Sequence, residues 1–351
     1  MPDYKYNEQV DIENIKKLRT MLSELPAFFK DFFRGIEPRT QSRTRIAYAY
    51  DIKIFLQFLL EENPSIKKSY TNLTEIPISV LESLTVTDIE EYMEYLKYRD
   101  TDGKKISNKE NAIKRKISTL KSVFKYFYRT EKLSENIMER VQLPKLHSKE
   151  IIRLDIDEVA MMIDEAENGE GLSDRQRAYH GKTKVRDVAL LSLLLGTGIR
   201  VSECVGLDIS DVDFKNNGIL IHRKGGKEVT VYFSDEVKET LQNYYDERVL
   251  ILEESGHEGA FFLSIQNKRL SVRSVENLVK KYAKIISPLK KVTPHKLRST
   301  YGTNLYKETG DIYLVADVLG HSDVNTTKKH YAAIEDDRRR SARNVVKLRE
   351  K

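Results

Sequence analysis

Along most of this chain apolar residues recur at intervals of three and four, the pattern of helices that bury one face. Between 40 and 60, Ile46, Tyr50, Ile54, Phe55, Phe58 and Leu59 keep that spacing and predict a helix. The first 38 residues read as an extension with one helix, over 11–25. A polar, proline-containing connection follows at 66–77. Thr87-Asp88-Ile89-Glu90 has the spacing of a capping box, so a helix is expected to run on through Tyr92, Met93 and Leu96 to about residue 99. Asp102-Gly103 marks a turn. A long helix is expected over 108–130, with Ile113, Ile117, Leu120, Val123, Phe124 and Phe127 on one face, and a shorter one over 134–141.

The periodicity lapses at Pro144-Lys145-Leu146-His147-Ser148-Lys149, a polar stretch with a helix breaker. Residues 144–153 therefore read as a linker between a helical module, 39–143, and a second domain, 154–351. In the second domain a helix is expected over 157–167, a polar loop over 168–184 and a buried apolar helix over 186–195. Residues 208–233 hold the only β signal: Ile219-Leu220-Ile221-His222 and Glu228-Val229-Thr230-Val231-Tyr232 flank Lys224-Gly225-Gly226-Lys227, a hairpin turn. Helices are then expected over 235–252, 272–286, 296–310, 311–319 and 325–331. The predicted fold class is mainly α with a small antiparallel β-sheet (α+β), in two domains.

Composition narrows the setting. With 351 residues, 40% of them hydrophobic, the chain can fill two cores. No run of about 18 apolar residues is present to span a membrane, and the polar, acid-containing N-terminus does not read as a secretory signal. Cys204 is the single cysteine, which excludes an intrachain disulfide and any zinc cluster of several cysteines. A reducing, cytoplasmic location is expected. The net charge of +6 is unevenly spread: residues 104–132 carry ten Lys/Arg against two acids, and 328–351 carry nine against four. Together these stretches exceed the net charge of the whole, so the remainder is net negative. Clustered positive charge is the footprint of a phosphate backbone, although either stretch alone could be a solvated helix face. On the 108–130 helix, Lys114, Arg115, Lys121, Lys125 and Arg129 are candidates for phosphate contact.

A set of polar residues far apart in sequence makes sense as one site: Arg200 in Gly196-Thr197-Gly198-Ile199-Arg200-Val201-Ser202-Glu203, His295 and Arg298 in Pro294-His295-Lys296-Leu297-Arg298, His321 in Leu319-Gly320-His321-Ser322, and Tyr331. Attack on a phosphodiester piles negative charge on the non-bridging oxygens. Arginine meets that charge with two parallel hydrogen bonds and never deprotonates. Preorganised, each such donor contributes roughly 10²–10³ in rate. His295 and Arg298, three residues apart, share a helix face, and either histidine can move a proton or bond a phosphoryl oxygen. A tyrosine hydroxyl can attack phosphorus once cations or a base assist it. The 5′ oxygen of deoxyribose leaves poorly, so a general acid is wanted, and Lys224 at the hairpin tip is the candidate, with Lys227 three residues on. Glu203 is placed to support Arg200. No clustered-carboxylate motif stands out, so metal-free chemistry without a cofactor is expected. Gly225-Gly226-Lys227 lacks the remainder of a nucleotide-binding loop. Singly, each of these short motifs is more often a turn, a surface ion pair or packing; their order and spacing together carry the weight.

Taken together, these motifs resemble the tyrosine recombinases of the phage-integrase family, near the Xer-type branch, from about residue 40 to 333. Residues 186–203 resemble the family's first-arginine box, supplying Arg200 and Glu203; residues 223–228 resemble the hairpin with the catalytic lysine, matched by Lys224. His295 and Arg298 match the His-x-x-Arg box, His321 the second-histidine box and Tyr331 the nucleophile. The resemblance implies a two-domain clamp on double-stranded DNA bearing paired inverted repeats. It also implies a 3′-phosphotyrosine intermediate, a homotetramer exchanging strands through a Holliday junction, and a C-terminal segment, 338–351, docking on a neighbouring protomer through Val345, Val346 and Leu348. Two departures stand out. Position 299 is Ser where His is common, and Tyr331 follows His321 by ten residues where nine is usual; one residue turns a helical side chain by about 100°. Tyr301, Tyr306 and Tyr313 are the competing tyrosines. The alternatives are a catalytically silent DNA-binding member of the same fold, which the complete set of site residues argues against, and a plain helical interaction protein, which leaves the clustered charge unexplained.

Overall fold

The computed structural model describes residues 5–101, 103–145, 152–223, 227–321 and 324. The chain divides into two compact units, Met1–Ser148 and Lys149–Lys351.

The first unit is helical. It comprises α1 (Tyr6–Ser23), α2 (Phe29–Ile36), α3 (Ser42–Glu62), α4 (Pro64–Ser69), α5 (Ile78–Ser83), α6 (Val86–Lys97), a hairpin of β1 (Arg99–Thr101) and β2 (Lys104–Ile106), α7 (Glu110–Arg129) and a 3-10 turn, Ile137–Glu139. The apolar stripes of α3 and α7 form its centre, where Ile52, Leu56, Leu59, Ile117, Leu120, Phe124 and Phe127 are almost fully buried. Several expectations need correction. Residues 6–36 are no extension: Leu18, Leu25, Phe29, Phe32 and Phe33 are core residues, and Phe29 and Phe32 lie 6.0 and 6.3 Å, centroid to centroid, from Phe127. α6 begins before Thr87, because Thr85 Oγ1 accepts from the Asp88 N–H (3.3 Å) while the Asp88 carboxylate accepts from the Thr85 N–H (2.7 Å). The 66–77 connection is partly helical, since Asn63 caps α4 by accepting from the Ser65 and Ile66 N–H groups. Where a helix was expected over 134–141 there is a single 3-10 turn. Gly103, at φ +75, turns the β1–β2 hairpin, a second β element.

The second unit contains α8 (Ile156–Asn168), α9 (Asp174–Thr197), α10 (Val201–Gly206), an antiparallel sheet of β3 (Val212–Asp213), β4 (Gly218–His222) and β5 (Glu228–Tyr232), then α11 (Asp235–Arg248), α12 (Val272–Ile286), α13 (Pro294–Thr309) and α14 (Ile312–Leu319). The sheet runs in the order β3-β4-β5, with Ile219 opposite Val231 and His222 opposite Glu228. Ile219, Ile221 and Val231 point one way and are buried, as strand alternation dictates. The polar segment 168–184 is mostly helix rather than loop: α9 starts at Asp174, after Ser173, whose N–H donates to Gln176 Oε1 at 3.0 Å. α8, α11 and α13 all pack on α9. α9 is also pinned by Asp187, which is 1% exposed and accepts from Arg186 (2.6 Å), Lys281 (3.0 Å) and Tyr282 Oη (2.9 Å). Two cations and a hydroxyl thus satisfy one buried carboxylate and tie α12 to α9. Among the described residues no helix is long and apolar enough to cross a membrane. The helix expected over 325–331 and most of the expected linker 144–153 lie outside the described residues.

Candidate active site

The turn between α9 and α10 sets the first arginine. Gly198 ends α9 in the left-handed conformation, φ +62, and its N–H donates to the Leu194 carbonyl at 3.1 Å. A Cβ on Gly198 would stand 2.4 Å from Cδ1 of Tyr301, so close packing and backbone conformation both call for glycine. Arg200 then begins the short α10. Its N–H donates to Glu203 Oε2 at 2.7 Å, and its Nη1 donates to Oε1 of the same carboxylate at 2.8 Å. Glu203 is buried, whereas the Arg200 side chain remains 41% exposed. The supporting acid therefore orients an arginine that still reaches solvent. The remaining terminal nitrogen of Arg200, Nη2, donates to the Gly320 carbonyl at 3.2 Å.

His295 lies in the first turn of α13, which Pro294 opens, and Arg298 about one turn further on. His295 is exposed and Arg298 is 4% exposed. The Arg298 fork is fully directed: Nη1 donates to the Gly198 carbonyl at 2.6 Å and Nη2 to the Leu319 carbonyl.

α14 ends in a Schellman turn. Gly320, at φ +61, donates its N–H to Asp317 O (2.8 Å), and the N–H of His321 reaches back to Ala316 O (2.9 Å). These bonds fix the backbone from which the half-buried His321 projects. The turn also gathers cations. Arg200 and Arg298 occupy the carbonyls of Gly320 and Leu319, and Arg223, at the end of β4, donates to Asp317 O (3.3 Å) and Val318 O (2.7 Å). Three guanidinium groups thus sit on four successive carbonyls at the negative end of one helix, where positive charge is stabilised.

The structure therefore brings together Arg200, Glu203, Arg298 and the turn holding His321, with His295 one helical turn before Arg298. Lys224 and Tyr331 lie outside the described residues. Of the competing tyrosines, Tyr306 is 5% exposed in the core, and Tyr301 packs on Gly198, where burial pushes its hydroxyl above the usual tyrosine range. Both read as packing. Tyr313 is 65% exposed, in the first turn of α14. Cys204 is fully buried, and burial raises its thiol, so it is inert as a nucleophile. The sequence alone offers only one signal for Arg223, its place beside Lys224.

On α7, the basic face is less uniform than its sequence implies. Arg115 is bidentate to Asp51 (2.5 and 2.7 Å), and Lys116 (3.1 Å) and Thr119 (2.8 Å) share that carboxylate. Asp51 is 1% exposed, so Arg115 helps satisfy a buried charge. Lys121 donates to the Val141 carbonyl at 3.0 Å. Lys125 and Arg129 are exposed and Lys114 is half-buried; Lys227, on the other unit, is exposed.

Residues 152–338 match the phage integrase family. The tyrosine recombinase XerS of Lactococcus lactis subsp. cremoris is 29% identical, the alignment covering 93% of this chain and 97% of the relative. The tyrosine recombinase XerC of Caldanaerobacter subterraneus subsp. tengcongensis is 30% identical, over 90% and 84%. Among solved structures, the Tn1549 transposon integrase in complex with transposon right end DNA matches with a TM-score of 0.64 at 20% identity, covering 90% of this chain and 98% of that one. The XerH site-specific recombinase bound to a palindromic difH substrate matches at 0.61 and 19%, covering 86% and 80%. These structures share the two-domain fold, and with the sequence matches and the arginine-lined turn they lead to one assignment: the chain belongs to the phage integrase family, as a Xer-like tyrosine recombinase.

Proposed function

We propose that this recombinase cuts and rejoins double-stranded DNA at paired inverted-repeat sites, with Arg200, Lys224, His295, Arg298, His321 and Tyr331 as its catalytic set and Glu203 in support. The observation that carries this reading is the meeting of Arg200 and Arg298 on the turn that ends in His321. In the cleavage step the Tyr331 oxygen bonds to phosphorus while its proton passes to His295 or to water. The bond from phosphorus to the 5′ oxygen breaks, and that oxygen takes a proton from the Lys224 ammonium. The products are a 3′-phosphotyrosine and a free 5′ hydroxyl. Arg200, oriented by Glu203 and still partly exposed, meets the non-bridging oxygens, and Arg298 holds the turn in place behind it. Because the phosphotyrosine keeps the energy of the broken phosphodiester, reversal of the step on a new strand end needs no ATP.

Outside the site, Lys114, Lys125, Arg129 and Lys227 are the phosphate contacts this reading favours, while Arg115 and Lys121 act chiefly within the protein. Exchange through a Holliday junction calls for four protomers on two sites, and residues 338–351 are the segment proposed to dock on a neighbour. A nicked suicide duplex carrying the cognate site tests the reading. Wild type should accumulate a covalent protein–DNA adduct on a denaturing gel, and Tyr331→Phe should form none while still shifting the DNA. An adduct that persists in Tyr331→Phe places the nucleophile elsewhere; no adduct with wild type removes the catalytic reading.

A further inference from the structure

We propose that Arg223 is a positioning residue for cleavage: it ties the end of β4, the residue next in sequence to Lys224, onto the last turn of α14, the turn that leads into His321. The proposal rests on the reading of Lys224 as proton donor. Arg223 is held at both ends. Its backbone N–H donates to the Lys227 carbonyl at 2.8 Å, the bond that closes the base of the hairpin loop. Its guanidinium crosses more than ninety residues of sequence to Asp317 O (3.3 Å) and Val318 O (2.7 Å). The next carbonyls along, Leu319 and Gly320, belong to Arg298 and Arg200. The residue directly before Lys224 therefore shares one helix end with the two arginines of the site, and a shift of that turn moves all three together.

Two details favour a role in registration over simple helix capping. Nε of Arg223 is buried and has no hydrogen-bond partner among the described residues, an arrangement that optimisation for stability alone tends to remove. The fit is also close: a Cβ on Gly320 would lie 2.3 Å from Nη1 and 2.5 Å from Cζ of Arg223, so the guanidinium occupies the space that a side chain at 320 would need. A surface arginine that merely complements the helix end needs no such contact.

The test uses the full chain and two nicked suicide duplexes that differ in one atom. In one the scissile bond has its normal 5′ oxygen; in the other sulfur replaces it, and the thiolate leaves without a proton. Arg223→Met keeps an unbranched apolar stem and deletes the fork. It should slow single-turnover cleavage of the oxygen duplex at least ~10-fold, a fraction of what a general acid supplies. On the sulfur duplex it should cleave within about 3-fold of wild type, with DNA affinity unchanged, as expected if only the proton-donor step is impaired. Lys224→Ala should show the same selective rescue. Equal slowing of Arg223→Met on both duplexes, or no slowing on either, overturns the role of Arg223. Absence of rescue in Lys224→Ala alone overturns the assignment of the acid. Arg223→Lys, which keeps the charge but can reach only one carbonyl, should fall between wild type and Arg223→Met on oxygen and be rescued by sulfur. It serves as the deciding variant if Arg223→Met does not fold.

Discussion

Arg200 donates to the backbone carbonyl of Gly320, 3.2 Å away and 120 positions later in the chain. With Glu203 on the other terminal nitrogen, the guanidinium is oriented by two acceptors before any phosphate arrives, which is the preorganisation that electrostatic catalysis requires. A lysine carries the charge but has no planar fork to hold both acceptors while presenting parallel donors to a phosphate. Arg200→Lys should therefore cut the rate of covalent adduct formation by about 10²–10³ and leave DNA affinity within a few-fold. Single-turnover trapping beside a binding titration would separate the two effects.

Gly198 is a point where stability and chemistry meet. Gly198→Ala places a side chain at φ +62 and 2.4 Å from the Tyr301 ring, for a loss of about 1–3 kcal/mol. The melting temperature should fall by several degrees. Since the Gly198 carbonyl is also an acceptor for Arg298, cleavage measured well below the melting point should fall as well. An alanine variant that melts early but cleaves normally would show that the Arg298 contact is dispensable.

The α7 lysines and arginines should separate by experiment into two groups. Lys125→Ala and Arg129→Ala should weaken binding to cognate and random duplexes alike, and each should lower the slope of log affinity against log salt by roughly one. Arg115→Ala should instead lower the urea midpoint, because Asp51 loses its bidentate partner inside the first unit. A salt slope altered by Arg115→Ala with no change in the urea midpoint would reverse that division.

Glu158 and Lys290 predict a pH dependence of stability. Burial raises the Glu158 carboxyl, but Lys290 Nζ (2.6 Å), the Asp155 N–H (2.8 Å) and Ser287 Oγ (2.8 Å) outweigh it and hold it below the usual glutamate range. Glu158, helped by Asp155, raises Lys290 against its own burial. A carboxylate lowered on folding contributes stability above its unfolded pKa and loses it as pH falls through the folded value. A lysine raised on folding contributes below its unfolded pKa and loses it as pH rises through the folded value. The urea midpoint of wild type should therefore exceed that of Glu158→Gln over roughly pH 5 to 10, and the gap should close on both sides. A gap independent of pH would assign the effect to packing.

How much of this was legible in advance varied by element. α12 agrees with its expected bounds at both ends, since Ser271 caps it and the apolar stripe of Val275, Leu278, Val279 and Tyr282 is unbroken. The β4–β5 hairpin was equally clear, because alternation and a glycine turn coincide. The start of α9 is hard to see in sequence because its first turns are polar; the Ser173–Gln176 capping box is its one local signal. Residues 6–36 lack a helical stripe as regular as that of α3, yet Phe28, Phe29, Phe32 and Phe33 cluster there, and four aromatics in six positions seek a core. In the site, Arg200 with Glu203 and His295 with Arg298 were readable because each pair is local. Arg223 was not, since its partners are carbonyls of a helix some ninety residues away, and carbonyls have no signature in a sequence.

The acceptors that receive the three arginines are main-chain oxygens of residues 317–320. Every amino acid supplies that oxygen, so exchanges at Asp317 and Val318 can alter the side chains and leave the docking platform in place. The burden of identity falls instead on Gly320, where any side chain would meet Arg223. A saturation library across 317–320 should therefore be permissive at its first two positions and nearly closed at its last.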